Sequence, residues 1–246
     1  MPLDLGPAAW AWLAAVAFGA AFVRGYSGFG FAALLISGGA LVVEPLALVP
    51  AILLADIALT APQWGSIRGA IDWRRAGTLF AGCLVGVPLG VRAVAAMGPD
   101  LSRAVIALWM LAMCAVLLRG WRLARPAGDA AHVATGIVSG LANGAAVGGL
   151  PVAAFFAAQP IPPAAFRATL VAYFLLLDLW TLPFLAREGL IGRDTVALAA
   201  GGLPIMLAGV WLGSRRFLKA PPAQFRRFAI LLLAALAAFG LLRAAL

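Results

Sequence analysis

The chain has 246 residues, of which 64% are hydrophobic and only 11% are charged, and its mean hydropathy is +1.03. A soluble domain carries about 25% charged residues, so this composition excludes a water-soluble enzyme or binding domain. The formal net charge is +9, but the basic residues form short clusters between apolar runs. This distribution is typical of membrane-protein loops that face an anionic leaflet, and it argues against a nucleic-acid partner.

The residue types that build catalytic and metal sites are scarce and scattered. His132 is the single histidine, and Cys83 and Cys114 stand apart inside apolar runs. A membrane-embedded enzyme would need a nucleophile–base pair or a metal cluster. We therefore expect no enzyme activity, no bound metal and no other cofactor.

The first apolar run is interrupted by a glycine-rich stretch that also carries a charge. Residues 24–30, Arg-Gly-Tyr-Ser-Gly-Phe-Gly, divide it into Ala8–Val23 and Gly28–Val43. Glycine disfavours helix, and unwound backbone persists in a membrane only where protein or water satisfies its polar groups. We expect residues 24–30 to be unwound, between either the two limbs of a re-entrant hairpin or two thin crossings.

Three ordinary crossings are predicted after this break, at Leu46–Trp64, Ala76–Val94 and Ala104–Leu118. The first has Asp56 in its middle. The second carries glycines at every fourth position, and such a stripe of small residues allows close contact with another helix. The glycines are Gly82, Gly86 and Gly90.

The second half of the chain follows the same plan. The run Val133–Phe156 is cut by Ser139–Pro151, a stretch of small residues that contains Asn143. Crossings follow at Ala168–Ala186, Thr195–Gly213 and Phe228–Leu242. Asp178 falls opposite Asp56, and Gly209-x-x-x-Gly213 matches Gly86-x-x-x-Gly90. These matches predict an all-α polytopic membrane protein with two repeats, 1–125 and 126–246, inside one integral membrane domain.

The basic residues favour an inverted repeat. If each broken segment begins and ends on the same side of the membrane, three crossings remain per half, and most of the basic residues of the whole chain then lie on one side. The positive-inside rule then places both termini outside and the loops Ser66–Arg75 and Ser214–Arg227 in the cytoplasm. The residues on the cytoplasmic side would be Arg68, Arg74, Arg75, Arg119, Arg122, Arg125, Arg167, Arg215, Arg216, Lys219, Arg226 and Arg227.

The two breaks are the candidate substrate site, because paired broken helices mark the binding site of many transporters. Arg24 offers a guanidinium fork that matches an oxyanion, although it could instead snorkel to the interface. Small residues at the breaks could offer N–H groups at half-helix ends, or serve helix packing alone. The candidate anion ligands are Arg24, Ser27, Gly28, Gly30, Asn143, Gly144, Gly148 and Gly149.

The two intramembrane carboxyl groups, Asp56 and Asp178, have three interpretations. They could exchange a proton during transport, form a salt bridge to Arg24 or Arg167, or hold the broken helices together by polar contacts. Other polar or aromatic residues lie one or two helical turns further along and could line the same cavity. These are Thr60, Gln63, Trp64 and Thr181.

Four features together carry a family resemblance. They are the glycine-rich break early in each half, the proline after it (Pro45, and Pro151 or Pro162), the Gly-x-Ile-Asp-Trp stretch at Gly69–Trp73, and the Gly-x-x-x-Gly helix that follows. Over nearly the whole chain they resemble the TauE/SafE family of membrane transporters. The resemblance implies export or uptake of sulfite, sulfonates or related small anions, chiefly in bacterial inner membranes.

The sequence thus predicts a multi-pass secondary transporter of a small anion in a bacterial inner membrane, with proton coupling as one option. A transporter of a non-sulfur metabolite, and a structural or assembly subunit without transport activity, remain the alternatives. The expected partners are the anionic substrate and the lipid bilayer, with a homodimer as an open option.

Overall fold

The computed structural model describes residues 5–217, and within that range all regular structure is helical. Six of the described helices, α1, α3, α4, α5, α8 and α9, are long and apolar enough to cross a membrane. The predicted crossing Phe228–Leu242 and most of the loop Ser214–Arg227 lie outside the described residues. The helices are α1 (Pro7–Ser27), α2 (Phe31–Gly39), α3 (Pro45–Ile67), α4 (Trp73–Ala95), α5 (Pro99–Arg119), α6 (Asp129–Asn143), α7 (Gly149–Ala157), α8 (Pro163–Arg187) and α9 (Arg193–Phe217).

The first break is shorter than the sequence predicted. Residues 24–27 were expected to be unwound, but α1 continues through them to Ser27 and ends at Gly28, whose N–H donates to the Arg24 carbonyl oxygen at 2.8 Å. Gly25 serves packing instead of unwinding, because a Cβ there would overlap the Val210 carbonyl oxygen on α9.

The second break is likewise confined to residues 144–148. Ser139–Asn143 was expected to interrupt the helix, but α6 extends to Asn143 and α7 begins at Gly149. Gly140 lies inside α6 because α4 approaches it closely, and a Cβ there would stand 2.8 Å from the Val87 nitrogen. In both halves a glycine within the helix allows contact with a neighbour, and the chain breaks only after it.

The short helix α2 returns along α1. The Trp12 indole Nε1 on α1 donates to the Gly38 carbonyl oxygen on α2 at 2.8 Å, and Gly38 also packs against Val16. A helix of nine residues spans about 14 Å, well short of the roughly 30 Å hydrocarbon core. The length of α2 is therefore that of a short limb, too small for a full crossing.

Two glycine stripes let helices from different halves pack at backbone distance. A Cβ at Gly86 on α4 would overlap the Ile137 carbonyl oxygen on α6, and a Cβ at Gly213 on α9 would overlap the Phe22 carbonyl oxygen on α1. The prediction of close helix contact at these stripes is confirmed. The fourth helix of each half, α4 or α9, therefore packs on the first helix of the other half, α6 or α1.

One end of the bundle collects several basic residues. Arg74 at the start of α4 donates to the Asp129 carboxylate at the start of α6 at 2.9 Å, and this hydrogen bond lowers the pKa of Asp129. Arg167 near the start of α8 donates to Ser214 near the end of α9 at 3.0 Å. Both contacts bring residues that the charge pattern assigned to one side to the same end of the fold.

The α4–α6 contact can be tested with a pair of glycine substitutions on one helix. Gly86→Ala should lower the free energy of unfolding by about 1–3 kcal/mol, because its methyl group must displace the α6 backbone. Gly77→Ala, also on α4, meets nothing within 4 Å and should be neutral or stabilising by up to about 1 kcal/mol. Unfolding in detergent micelles measures both. Equal stability of the two variants would contradict the packing described here.

Candidate functional site

The two breaks meet at a small cavity in the interior of the protein, which we name the central cavity. Its volume is about 30 Å³, room for little more than one water molecule. The first turns of both short helices, α2 and α7, contribute to its wall. The described residues that line it are Arg24, Gly28, Phe29, Gly30, Phe31, Ala32, Ala33, Asp56, Asn143, Ala146, Gly149, Leu150, Phe174 and Asp178.

Arg24 is held in the wall of the cavity by α3. Its Nε donates to the Asp56 carboxylate, and its Nη2 donates to the Asp56 carbonyl oxygen at 3.0 Å and to Thr60 Oγ1 at 2.8 Å. The residue is only 1% exposed, so the snorkelling alternative is wrong. Nη1 is buried and has no hydrogen-bond partner among the described residues. The N–H groups of Nη1 can therefore donate to a ligand.

Asp56 and Asp178, which come from different halves of the chain, lie against each other. Both carboxyl groups line the central cavity, and each lies within range of the other's charge. Asn143 Nδ2 donates to Asp178 Oδ1 at 3.2 Å and to Thr181 Oγ1 at 2.9 Å. Two of the interpretations that the sequence left open therefore both apply. Asp56 forms a salt bridge to Arg24, and Asp178 makes a polar contact to Asn143 at the end of a broken helix.

Gly28 and Gly30 provide backbone conformations that other residues rarely adopt. Their φ angles are +82° and +89°, in the left-handed region. In the second break the residue in that region is Ala146, with φ 57°. Because no glycine marks this position, sequence analysis did not single out Ala146, although it lines the central cavity.

The remaining candidate ligands have structural contacts. The Ser27 hydroxyl donates to the Val23 carbonyl oxygen at 2.8 Å and to the Phe29 carbonyl oxygen at 2.9 Å, and it lies outside the cavity lining. Gly144 packs on Gly90, because a Cβ built on Gly144 would stand 2.7 Å from the Gly90 carbonyl oxygen. Two further glycines flank the second break, and they differ. Gly148 packs tightly on α6, whereas Gly149 lines the cavity beside the Phe174 ring.

The four residues proposed as further cavity lining stand outside the wall of the central cavity. Thr60 and Thr181 instead position Arg24 and Asn143 by hydrogen bonds. Trp64 packs edge-on against Trp73, with ring centroids 6.3 Å apart. Gln63 lines a separate cavity between α3, α8 and α9.

Three aromatic side chains of the site were missed by sequence reasoning. Phe29, Phe31 and Phe174 line the central cavity, and Phe29 packs edge-on against Phe166 at 6.1 Å. In an apolar chain a phenylalanine carries no functional signal. Phe29 and Phe31 could have been found only by their positions next to Gly28 and Gly30.

The arrangement is suited to a small anion. It combines a buried guanidinium with an unused Nη1 and the first turns of two helices, whose N–H groups have no partner within the helix. Helix N-termini also carry partial positive charge. The site defines a polytopic helical membrane protein with a charged centre between two broken helices, which is a transporter architecture.

A comparison with family models gives the family. The sulfite exporter TauE/SafE family matches residues 13–240, so the chain belongs to this family of membrane transporters. Comparisons with curated proteins and with solved structures found no match.

The buried ion pair can be tested by removing its members singly and together. Asp56→Asn should lower the free energy of unfolding by about 3–5 kcal/mol, because it leaves the Arg24 charge buried without its counter-charge. The double variant Arg24→Gln/Asp56→Asn should lose less than the sum of the two single losses. Unfolding in detergent micelles measures all three. Asp194→Asn, at an exposed position, is the matched control and should cost below about 1 kcal/mol. Additive losses would show that the pair makes no interaction.

Proposed function

We propose that the protein is a secondary transporter that moves a small sulfur oxyanion, such as sulfite or a sulfonate, across a bacterial inner membrane. The observation that carries this proposal is the buried Arg24 guanidinium in the wall of the central cavity, with Nη1 unused among the described residues. The planar fork of a guanidinium can donate to two oxygens of a sulfonate or a sulfite. The family match supports sulfur anions as the substrate class.

Proton coupling follows from the charges around Arg24. One guanidinium lies beside two carboxyl groups, and two adjoining carboxylates repel each other strongly in an apolar site. The neutral arrangement is one carboxylate paired with Arg24 and one protonated carboxyl group. A monoanion that replaces Asp56 on Arg24 leaves the site neutral only if Asp56 takes up a proton. Anion and proton would therefore bind together.

The described conformation is closed. A cavity of about 30 Å³ is too small for a sulfonate, so the walls must move before substrate binds. The helices α2 and α7 have nine residues each and begin at the breaks, which makes them the short elements in the wall. Their displacement would widen the cavity while the long crossings keep their packing.

We further propose that the two halves are inverted repeats. Each half begins with a broken helix pair, followed by long helices in the same order. The contact from Arg74 to Asp129 joins the start of α4 to the start of α6, as expected if the two broken pairs enter from opposite sides. The positive-inside rule assigns this basic end to the cytoplasm.

The role of Arg24 in binding can be measured directly on purified protein. Arg24→Lys should weaken the affinity for sulfite and sulfoacetate, because an ammonium lacks the planar fork, and Arg24→Ala should abolish binding. Scintillation proximity with labelled anion reports the affinity. Arg187→Ala, an exposed arginine at the end of α8, serves as the control. Unchanged affinity in Arg24→Ala would remove Arg24 from the binding site.

The inverted arrangement can be tested by cysteine labelling in intact cells. Ser66→Cys near the end of α3 should react only after the membrane is opened, whereas Gly98→Cys before α5 should react with an impermeant reagent from outside. Both positions are exposed or part-exposed, and the native cysteines are buried. Reaction of Ser66→Cys from outside would contradict the proposed topology.

A further inference from the structure

A second and larger cavity lies at the basic end of the bundle. It has a volume of about 330 Å³ and opens between the end of α3, the start of α8 and the end of α9. We name it the vestibule. Among the described residues that line it, the two charged side chains are Arg167 and Arg215. Its other polar side chains are Gln63, Ser66 and Ser214.

Two of the contacts that hold Arg167 in the vestibule are made to uncharged groups. Its Nη2 donates to Gln63 Oε1 at 3.3 Å and to Ser214 Oγ at 3.0 Å. Gln63 is itself fixed, because its Nε2 donates to the Leu59 carbonyl oxygen at 3.0 Å. Both of these acceptors are uncharged, and the described lining of the vestibule contains two arginines and no acidic side chain, so the described walls are electropositive.

Arg215 adds a second positive charge at the exposed rim. Its guanidinium lies over the Trp211 ring, 3.8 Å from the centroid, and both residues line the vestibule. This cation–π contact limits the freedom of a long side chain that would otherwise extend into solvent. A cavity lined by charges of one sign concentrates ions of the opposite sign.

The vestibule adjoins the central cavity through Gly28. Gly28 lines the central cavity, and a Cβ built on it would stand 2.9 Å from Arg167 Cγ. Arg167 is also close enough to Arg24 for their charges to interact. Arg24 and Arg167 therefore line two cavities that adjoin at Gly28.

We infer that the vestibule is a second oxyanion site, which binds the substrate through Arg167 and Arg215 before it passes Gly28 to reach Arg24. This inference rests on the proposed transport function. The vestibule has the volume of an ordinary small-ligand pocket, whereas the central cavity is closed in this conformation. The vestibule site thus holds the anion while the central site opens.

The test is the number of anions bound per chain. Labelled methanesulfonate, whose charge does not change with pH, is titrated by equilibrium dialysis against protein in nanodiscs of neutral lipid at acidic pH. The wild type should bind two anions per chain. Arg167→Gln and Arg24→Gln should each bind one anion per chain, because each substitution removes one site and leaves the other.

A milder variant keeps the inference testable if Arg167→Gln does not fold. Arg215→Gln removes an exposed charge and should weaken binding at the vestibule about two- to fivefold, which corresponds to the worth of one exposed ionic contact. Arg216→Gln is the matched control, since Arg216 is exposed on the same helix and lies outside the vestibule lining. Equal effects of the two substitutions would overturn the role of Arg215.

The outcomes separate this inference from the proposed function. One anion per wild-type chain, lost only in Arg24→Gln, would overturn the vestibule site and leave the proposed function intact. No binding to the wild type would contradict both. A lipid phosphate offers the same oxyanion chemistry, so the titration is repeated in nanodiscs that contain phosphatidylglycerol. Retention of two anions supports a site for the soluble anion, and loss of the vestibule anion would overturn it.

Discussion

The contact between Arg24 and Asp56 is the interaction on which the site depends. Both residues are buried, and each would be a costly isolated charge in the interior of a membrane protein. Asp56 stands at the middle of α3, and Arg24 lies one turn before the end of α1. Their pairing fixes the first broken helix against an unbroken crossing. Thr60 reinforces it with a hydrogen bond to the same guanidinium.

The glycine stripes give this centre its rigid frame. Because α4 contacts α6 and α9 contacts α1 at backbone distance, each broken helix is packed against a long helix of the opposite half. Dispersion contacts and close packing, rather than the hydrophobic effect, hold helices together in lipid. The frame is thus built from long helices, while α2 and α7 remain short elements at the charged centre. That division allows a site to open without loss of the surrounding packing.

The sequence predicts a large part of the fold, because composition and apolar run length follow directly from the bilayer. It also locates both breaks to within a few residues. It cannot separate Gly25, which packs against α9, from Gly28, which has a positive φ. The two uses of glycine differ only in which helix lies nearby, and that neighbour is far away in the sequence.

The same limit applies to the site. The sequence pairs Asp56 with Asp178 only as corresponding positions of two repeats, and the choice of Arg24 as the ionic partner of Asp56 depends on which helices are neighbours. Ala146 gave no signal, because alanine is not typical of a left-handed position. Gln63 was assigned to the same cavity as Thr60, yet the helix turns it towards Arg167. Residues one turn apart in a helix can therefore serve different cavities.

The central claim is that an anion and a proton share the Arg24–Asp56–Asp178 cluster, and the most direct measurement is the proton-to-anion ratio of transport. Proteoliposomes carrying a trapped pH dye are supplied with labelled methanesulfonate at a clamped membrane potential. One proton should move with each anion. Asp178→Asn, which resembles the protonated form of Asp178 and leaves the Arg24–Asp56 pair in place, should keep this ratio, whereas Asp56→Asn, which removes the carboxylate that takes up the proton, should lower it. Anion flux at an undiminished rate without proton movement in the wild type would contradict the central claim.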